Sequence, residues 1–468
     1  MSIGKLFGKI YENVVAEGAG VDGLCVVKTD NKIIFVKYSV PGDVLNIRLI
    51  LKKNKVFFAE IINIVSPGKG RTEPFCTHFG VCGGCKWQQM KYSEQLLWKN
   101  RIVEDAFIRI GKINCKEWQP IIGSNENIEY RNKTEYAFSN KRWLLENEKS
   151  EENIQANAAG FHVSGRFDKV LDIEKCWLQN DFANKIRIFI KNYGIENKLS
   201  FYDIRQNKGF LRNLIIRNTS LGQWMIVLIS GEENEKQTLE LLEQIENNFP
   251  EITTIIYGVN SKTNDTIYDT PLSIYKGNGY IEEQLAEIVY RIRPKSFFQT
   301  NSSQALKLYQ KVSEFAGLKG YEIVYDLYCG TGSISLFIAR QCKKVYGIES
   351  VQQAIDDACE NAVSNNILNA EFITGDMRYV LNDEFIEKTG KPDLIITDPP
   401  RAGMHPDVVK QILKAEPERI VYVSCNPSTQ ARDLQILSEK YEILKTCPVD
   451  MFPHTHHVEN VTLLELKV

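Results

Sequence analysis

The sequence predicts an α/β protein in three parts: a small N-terminal β-barrel, a mixed α+β centre, and a C-terminal, doubly wound parallel sheet. Three observations carry that prediction. Strand-like and helix-like segments alternate regularly from about residue 295, short β-type runs crowd residues 1–65, and the stretch between them has no single period. At 468 residues the chain is too long for one ordinary core, so two or three domains are expected. The boundaries read as 1–65, 66–290 and 291–468.

In the first part the runs are GLCVVKTD, KIIFVKYSV, DVLNIRLILKK and KVFFAEIINIVS, punctuated by Gly, Asp and Asn, with a VPGD turn at 40–43. Closely spaced short strands with turn signals suggest a small antiparallel barrel. Lys52, Lys53 and Lys55 sit between two of these runs and are candidates for contacting a nucleic-acid backbone. Residues 66–90 are loop-like and crowded with Gly and Cys. The stretch 91–111 then spaces Leu96, Leu97, Ile102, Val103, Ala106, Phe107 and Ile110 as a helix would. The Glu- and Asn-rich stretches 146–153 and 232–247 read as a surface loop and an exposed helix.

In the third part EIVYDLY, KVYGIE, AEFITGD, PDLIITDPP and RIVYVSC alternate with the helix-like ISLFIARQC, AIDDACENAVSNN and PDVVKQILKA. That is the pattern of a parallel sheet covered on both faces.

Bulk properties narrow the class. No segment approaches the ~20 apolar residues of a membrane span, and the start lacks a secretory apolar core. A soluble cytoplasmic protein is expected, with no obligate protein partner evident. Its eleven cysteines should then be reduced, metal-bound or catalytic rather than disulfide-paired. The net charge of −2 argues against a broadly polyanion-binding chain. Residues 1–110, however, hold 16 Lys/Arg against 10 Asp/Glu, which permits a local polyanion-binding surface.

Chemistry concentrates at the predicted strand ends. VYDLYCGTGSISLFIAR places Gly330 and Gly332 where a strand turns into a helix, so backbone can approach a ligand closely. Asp326 precedes the loop. Glu349 ends the next strand, at a separation that suits a carboxylate bonding ribose hydroxyls. No third glycine completes a dinucleotide fingerprint, and no phosphate loop of the G-x-x-x-x-G-K-[ST] type is present. The pattern D-x-x-C-G-x-G, with Glu349, Asp376 and Asp398, instead resembles the S-adenosylmethionine site of the Rossmann-like methyltransferases. A DPP motif also occurs in amino-group methyltransferases, but there an aromatic follows the prolines, and here Arg401 does.

Cys425 ends the strand-like IVYVSCNP, just after Asp398 in DPPR, and Glu459 precedes the last strand-like run. One cysteine and one base are what methylation at C5 of uracil demands. C5 is a poor nucleophile until a thiolate adds to C6, and the product forms only when a base removes the C5 proton. SCNP, HxxHVE and the DPPR ahead of them look like the RNA uracil-5-methyltransferase family. The resemblance implies that Cys425 is the nucleophile and Glu459 the base. It places Gln299, Tyr328, Ser333, Glu349 and Asp398 on cofactor-binding positions, with Asp398 also able to face the uracil. As space filler Cys425 would be unremarkable, but it occurs with every partner the reaction needs. His454, His456 and His457 have no acidic or cysteine partner at zinc-ligand spacing, and orienting or RNA-contacting roles suit them. Cys329, Cys342, Cys359 and Cys447 read as structural.

CTHFGVCGGC spaces Cys76, Cys82 and Cys85 as C-x5-C-x2-C, and Cys176 follows 90 residues later. Four such thiolates suit a four-iron cluster or a four-cysteine zinc site. The resemblance decides between these, because the ribosomal branch of the family carries a [4Fe–4S] cluster on this pattern. It further implies that the barrel is a TRAM domain, an OB-like RNA-binding barrel. Arg131 and Lys133 in EYRNKTEYAFS become candidate RNA contacts, and the helix at 91–111 is expected to pack on the catalytic domain. The 140–157 stretch has no counterpart in the family. The function implied is methylation of uridine C5 in 23S ribosomal RNA, the target base flipping out to be reached. The rivals are a tRNA uridine methyltransferase, which typically lacks barrel and cysteine cluster, and a non-catalytic RNA-binding iron–sulfur protein. DNA cytosine-5 methylation would want its cysteine after a proline.

Overall fold

The computed structural model describes residues 8–467 apart from 55, 146–147 and 149–154. The expectations for Lys55 and for most of 146–153 therefore lie outside the described residues. Five strands, β1 (Ile10–Ala19), β2 (Cys25–Thr29), β3 (Lys32–Val36), β4 (Val44–Lys53) and β5 (Val56–Ser66), close into a barrel in the order β1-β2-β3-β5-β4. The four β-type runs of the sequence account for β2–β5. β1 escapes that pattern because Asn13 takes a left-handed conformation and two bulges break its alternation. Asp30 and Asn31, both at positive φ, make the two-residue β2–β3 hairpin. Val27, Ile34, Val36, Leu45 and Ile47 fill the barrel, and Trp87 and Met90 pack on them from outside it. The Trp87 Nε1–H donates to the Gly23 carbonyl at 3.1 Å.

After the barrel come α1 (Tyr92–Asp105), which widens into a π-helical turn at Ala106–Gly111, and β6 (Glu117–Trp118). The central sheet follows, with β7 (Lys133–Ser139), β8 (Arg142–Trp143), β9 (Ala158–Val163), β10 (Arg166–Asp172), β11 (Leu211–Asn218), β12 (Trp224–Ser230), β13 (Thr254–Val259) and β14 (Leu272–Lys276). Its order is β14-β13-β12-β11-β7-β9-β10-β8. Two helices, α2 (Asp181–Glu196) and α3 (Glu235–Asn248), cover it. The 232–247 stretch, expected to be an exposed helix, buries Leu241, Leu242 and Ile245 in the core beneath α3. A hairpin of β15 (Ile281–Leu285) and β16 (Ile288–Ile292) leads to the third part.

That part alternates α4 (Ser302–Ala316), β17 (Ile323–Leu327), α5 (Ser333–Ala339), β18 (Lys344–Glu349), α6 (Gln352–Ser364) and β19 (Ala370–Thr374). Then come α7 (Met377–Val380), α8 (Asp383–Thr389), β20 (Leu394–Thr397), α9 (Pro406–Ala415), β21 (Arg419–Ser424), α10 (Pro427–Leu437), β22 (Tyr441–Val449) and β23 (Glu459–Leu466). The sheet order is β19-β18-β17-β20-β21-β23-β22-β6, parallel from β19 to β21, with β23 antiparallel to its neighbours. β6 joins this sheet beside β22, and α1 with its π turn buries Val103, Ala106 and Phe107 among its side chains. Residues 92–118 thus pack with the C-terminal sheet although they precede the central one. Cys329, Cys342 and Cys447 are buried, whereas Cys359, expected to be structural, is exposed on α6. Among the described residues no helix is long and apolar enough to cross a membrane.

An ion pair fastens α1 to the turn between β22 and β23. Lys99 and Asp450 are both sealed from solvent, 2.5 Å apart. Lys99 also donates to the Phe452 carbonyl, and the Tyr92 hydroxyl donates to Asp450 at 2.8 Å. Removing one partner strands a desolvated charge, so Lys99→Met should lower stability by ~3–5 kcal/mol. Denaturant unfolding checks this, and a loss under ~1 kcal/mol would show that the pair carries little.

Candidate active site

The C-terminal sheet reverses direction at β17. The chain runs outward through β18 and β19, then returns to β20 and β21 on the other side. Such a switch point opens a crevice at the carboxyl ends of the strands. Tyr328 follows β17, Glu349 ends β18, Asp398 follows β20 and Cys425 follows β21. Leu327 pairs with Thr397, and the Asp398 N–H donates to the Leu327 carbonyl at 3.3 Å, so Tyr328 and Asp398 leave adjacent strands together. Ser424 pairs with Asn460 across the antiparallel β21–β23 ladder. Cys425 leaves β21 just past that pair, and Glu459 is the neighbour of Asn460 in β23.

The loop after β17 is built for close approach. Tyr328, Gly330 and Gly332 all have positive φ, a conformation an aromatic residue adopts only under constraint. A Cβ at Gly332 would meet Phe372 at 2.9 Å, while one at Gly330 would meet nothing within 4 Å, so Gly330 borders open space. Glu349 braces the loop: one carboxylate oxygen accepts from Gly330 N–H at 3.3 Å, the other from Ser350 and Val351 N–H at 2.7 and 3.0 Å. Asp326 lies beneath. One of its oxygens accepts from the Ser335 hydroxyl at 2.5 Å, the other has no partner, and burial pushes its carboxyl up to about 7. Tyr309 of α4 is buried beside Ser333, Asp398 and Glu459, where desolvation holds its phenol protonated. Gln299 is buried before α4, and Asn132 donates to its carbonyl at 3.1 Å, which ties the EYRNK segment to FFQTN. These donors, together with the buried unpaired oxygen of Asp326, fit an adenosine-bearing methyl donor.

Charge is unevenly placed around Cys425. Burial, then the nearby Glu459 and Asp398, push its thiol up to about 12. Asp398 and Glu459 are also pushed well above the usual carboxylate range, first by desolvation and then by a neighbouring charge, Asp326 at Asp398 and Asp398 at Glu459. Arg401 opposes these effects at both Cys425 and Glu459. Its carbonyl accepts from Asn426 Nδ2 at 2.9 Å and Thr429 Oγ1 at 3.2 Å, which pins the DPPR loop against SCNP. Sequence reasoning used Arg401 only to exclude a subclass. Its place directly after DPP was the signal that could have marked it as the site's counter-charge.

The four cysteines meet elsewhere. Cys76, Cys82, Cys85 and Cys176 line one cavity of about 650 Å³, together with Arg131, Lys133 and Arg217. Burial raises all four thiols, Cys82 to about 11 and Cys85 to about 12. His78 Nε2 accepts from Glu174 N–H at 2.9 Å, joining the loop of the triplet to that of Cys176. Among the described residues no three His, Cys, Asp or Glu groups converge tightly enough to hold a single metal ion. Four thiols around one cavity are a donor set that a zinc ion or an iron–sulfur cluster uses. Of the histidines, His454 is buried and bonded to Gln95, and the His456 and His457 rings meet at a tilt of 39° with centroids 4.1 Å apart.

Comparison with known proteins adds a frame. Residues 272–467 match the family model described as tRNA (uracil-5-)-methyltransferase. A protein of Bacteroides thetaiotaomicron named as an RNA methyltransferase is 52% identical over 95% of this chain and 99% of its own length. One of Porphyromonas gingivalis bearing the same name is 47% identical over 95% and 97%. The crystal structure of Pyrococcus abyssi tRNA (uracil-54, C5)-methyltransferase in complex with S-adenosyl-L-homocysteine is 30% identical. It has a TM-score of 0.75 and covers 97% of this chain and 100% of that one.

Proposed function

This chain belongs to the RNA uracil-5-methyltransferase family, and on that premise we propose that it methylates C5 of a uridine in 23S ribosomal RNA in the cytoplasm. The observation that carries the chemistry is that Cys425 leaves β21 just past the Ser424–Asn460 pair, with Glu459 the neighbour of Asn460 in β23 and its charge acting on the thiol. S-adenosylmethionine, when bound, supplies the electrophilic methyl group. Gln299, Tyr328, Ser333, Glu349 and Asp398 are the residues that would hold it, Glu349 as the acceptor for its ribose hydroxyls. Cys425 gives up its thiol proton to solvent, and the thiolate Sγ adds to C6 of the flipped-out base, which moves the ring's electron pair to C5 and its enolate oxygen. C5 would take the methyl group as the donor's S–CH3 bond breaks, the electron pair staying on sulfur so that S-adenosylhomocysteine leaves. Glu459 then removes the C5 proton, the C5–C6 double bond re-forms, and the thiolate leaves with the electrons of the C–S bond. Arg401, as the adjacent positive group, favours the thiolate whenever it is free.

Cys76, Cys82, Cys85 and Cys176 hold a [4Fe–4S] cluster in this reading, as a structural group that takes no part in the transfer. Iron and acid-labile sulfide should each come to about four per chain in anaerobically purified protein. Stoichiometric zinc without sulfide would overturn the assignment. The barrel acts as a TRAM-like RNA-binding module. The 23S reading rests on the cysteine pattern that the family's ribosomal branch carries. The barrel no longer discriminates, because the tRNA-acting P. abyssi enzyme is matched over 97% of this chain, leaving too few residues outside the match to omit it. That coverage favours tRNA as the second reading. Transfer of labelled methyl groups to 23S rRNA and, in parallel, to bulk tRNA, both lacking 5-methyluridine, decides. Label in 23S rRNA at one or two uridines supports the proposal, and label in tRNA alone transfers it to the second reading.

The raised Glu459 carboxyl sets a pH dependence. A base must be ionised, so the step it serves accelerates as pH rises through its elevated pKa. Product release in a single turnover should increase about tenfold per pH unit up to an inflection well above the ~4.3 of a free glutamate. A release rate flat from pH 6 to 9 would remove Glu459 from that step.

A further inference from the structure

His454 lies five residues before Glu459, and several of the groups that touch it flank the cysteines. Its carbonyl accepts from Lys86 and Trp87 N–H at 2.9 and 3.0 Å, the two residues that follow Cys85. Phe75, which precedes Cys76, packs edge-on against its ring at 5.0 Å, and Trp177, which follows Cys176, packs on Phe75 in turn. The remaining grip comes from Gln95 of α1, a carboxamide with no solvent exposure. Its Oε1 accepts from His454 N–H at 2.8 Å, and its Nε2 lies 3.1 Å from His454 Nδ1. The same Nε2 donates to the carbonyls of Trp87 and Met90 at 3.0 and 2.8 Å. One side chain therefore bonds both the end of the cysteine loop and the segment leading to Glu459. Tyr130, donating its hydroxyl to the Pro453 carbonyl at 3.0 Å, fixes the residue before.

The segment is also held against its own preference. His454 has φ +64°, a left-handed conformation that a histidine keeps only when its surroundings demand it. Gln95 Nε2 and His454 Nδ1 lie within hydrogen-bond distance, and burial holds the imidazole neutral. The turn closes compactly through Thr455, whose hydroxyl donates to the Phe452 carbonyl at 2.8 Å and accepts from His457 N–H at 3.2 Å. β23 begins two residues later with Glu459.

We propose that the cysteine loop positions the catalytic base, with Gln95 and His454 as the residues that transmit its placement to Glu459. The inference rests on Glu459 being the base of the proposed reaction. The steps that use Cys425 depend on the other strand of the β21–β23 pair and on the DPPR loop, neither of which His454 supports. Disturbing the Gln95–His454 joint should therefore slow removal of the C5 proton while sparing thiolate addition and methyl transfer. A merely structural role would slow all steps together.

The test follows one turnover of the holoenzyme on substrate RNA with labelled S-adenosylmethionine, scoring covalent protein–RNA adduct on denaturing gels and released methylated RNA. Gln95→Met and His454→Ala should each slow release about tenfold or more, so that methylated adduct accumulates, while first-turnover methyl incorporation stays within about threefold. Iron content and S-adenosylhomocysteine affinity should stay at wild-type values. His454→Asn, which tolerates the left-handed conformation and keeps an acceptor for Gln95, should restore release. Incorporation and release falling together, or neither changing, overturns the proposal. Adduct in Glu459→Gln but in neither joint variant sinks the positioning role alone, whereas no adduct in Glu459→Gln sinks the base assignment on which it stands.

Discussion

Cys425→Ala ends methyl transfer, with turnover falling on the order of 10⁴-fold or more, because no other group at the site can add to C6. The truncation removes one half-buried sulfur, so it should cost the fold no more than about 1 kcal/mol. Affinity for S-adenosylhomocysteine should hold, since Glu349 and the glycine loop belong to other strands. Cys425→Ser should be nearly as inactive, because a hydroxyl in a site that already holds a thiol protonated ionises far less readily. Single-turnover assays with RNA and labelled donor, read beside cofactor titrations, check both variants. Methyl transfer at a tenth of the wild-type rate in Cys425→Ala would return the cysteine to space filling and bring the non-catalytic RNA-binding reading forward.

Much of this arrangement was legible in the sequence where local pattern and global fold agree. β-Branched runs ending in Tyr328, Asp398 and Cys425 announce buried parallel strands, and their ends are where an open sheet displays polar side chains. The pairing that brings Cys425 near Glu459 was less visible. It depends on β23 entering antiparallel between β21 and β22, an arrangement that residue types do not encode. β6 was illegible, since two residues carry no period at all. The buried bonds between Gln95 and His454, and between Lys99 and Asp450, join residues more than 350 positions apart. Each of these polar side chains, read alone, belongs on a surface. Only the packing of α1 against the β22–β23 turn makes them partners. The four cysteines are the intermediate case, because spacing grouped three of them, the family pattern added Cys176, and the fold sets all four on one cavity.

Glu459→Gln should separate the two halves of the reaction. The amide keeps the size and packing of the carboxyl side chain, which is buried between β21 and β22, so the fold and donor binding should change little. It even removes a cost, because a carboxylate there is opposed by burial and by Asp398. Thiolate addition and methyl transfer need only Cys425 and the donor, and both should proceed. What the variant lacks is an acceptor for the C5 proton, without which the C5–C6 double bond cannot re-form and Cys425 cannot leave. Methylated RNA should then remain on the protein through denaturation, at close to one equivalent, with release slowed about 10³-fold. The variant should also lose the pH dependence of release, since the group that titrated is gone. Glu459→Ala, which opens room for water, should release product faster than the glutamine variant if solvent can act in place of the base. Freely released 5-methyluridine RNA from Glu459→Gln at a rate near wild type would assign proton removal to another group, and Asp398, the second raised carboxyl at the site, would be the next to replace.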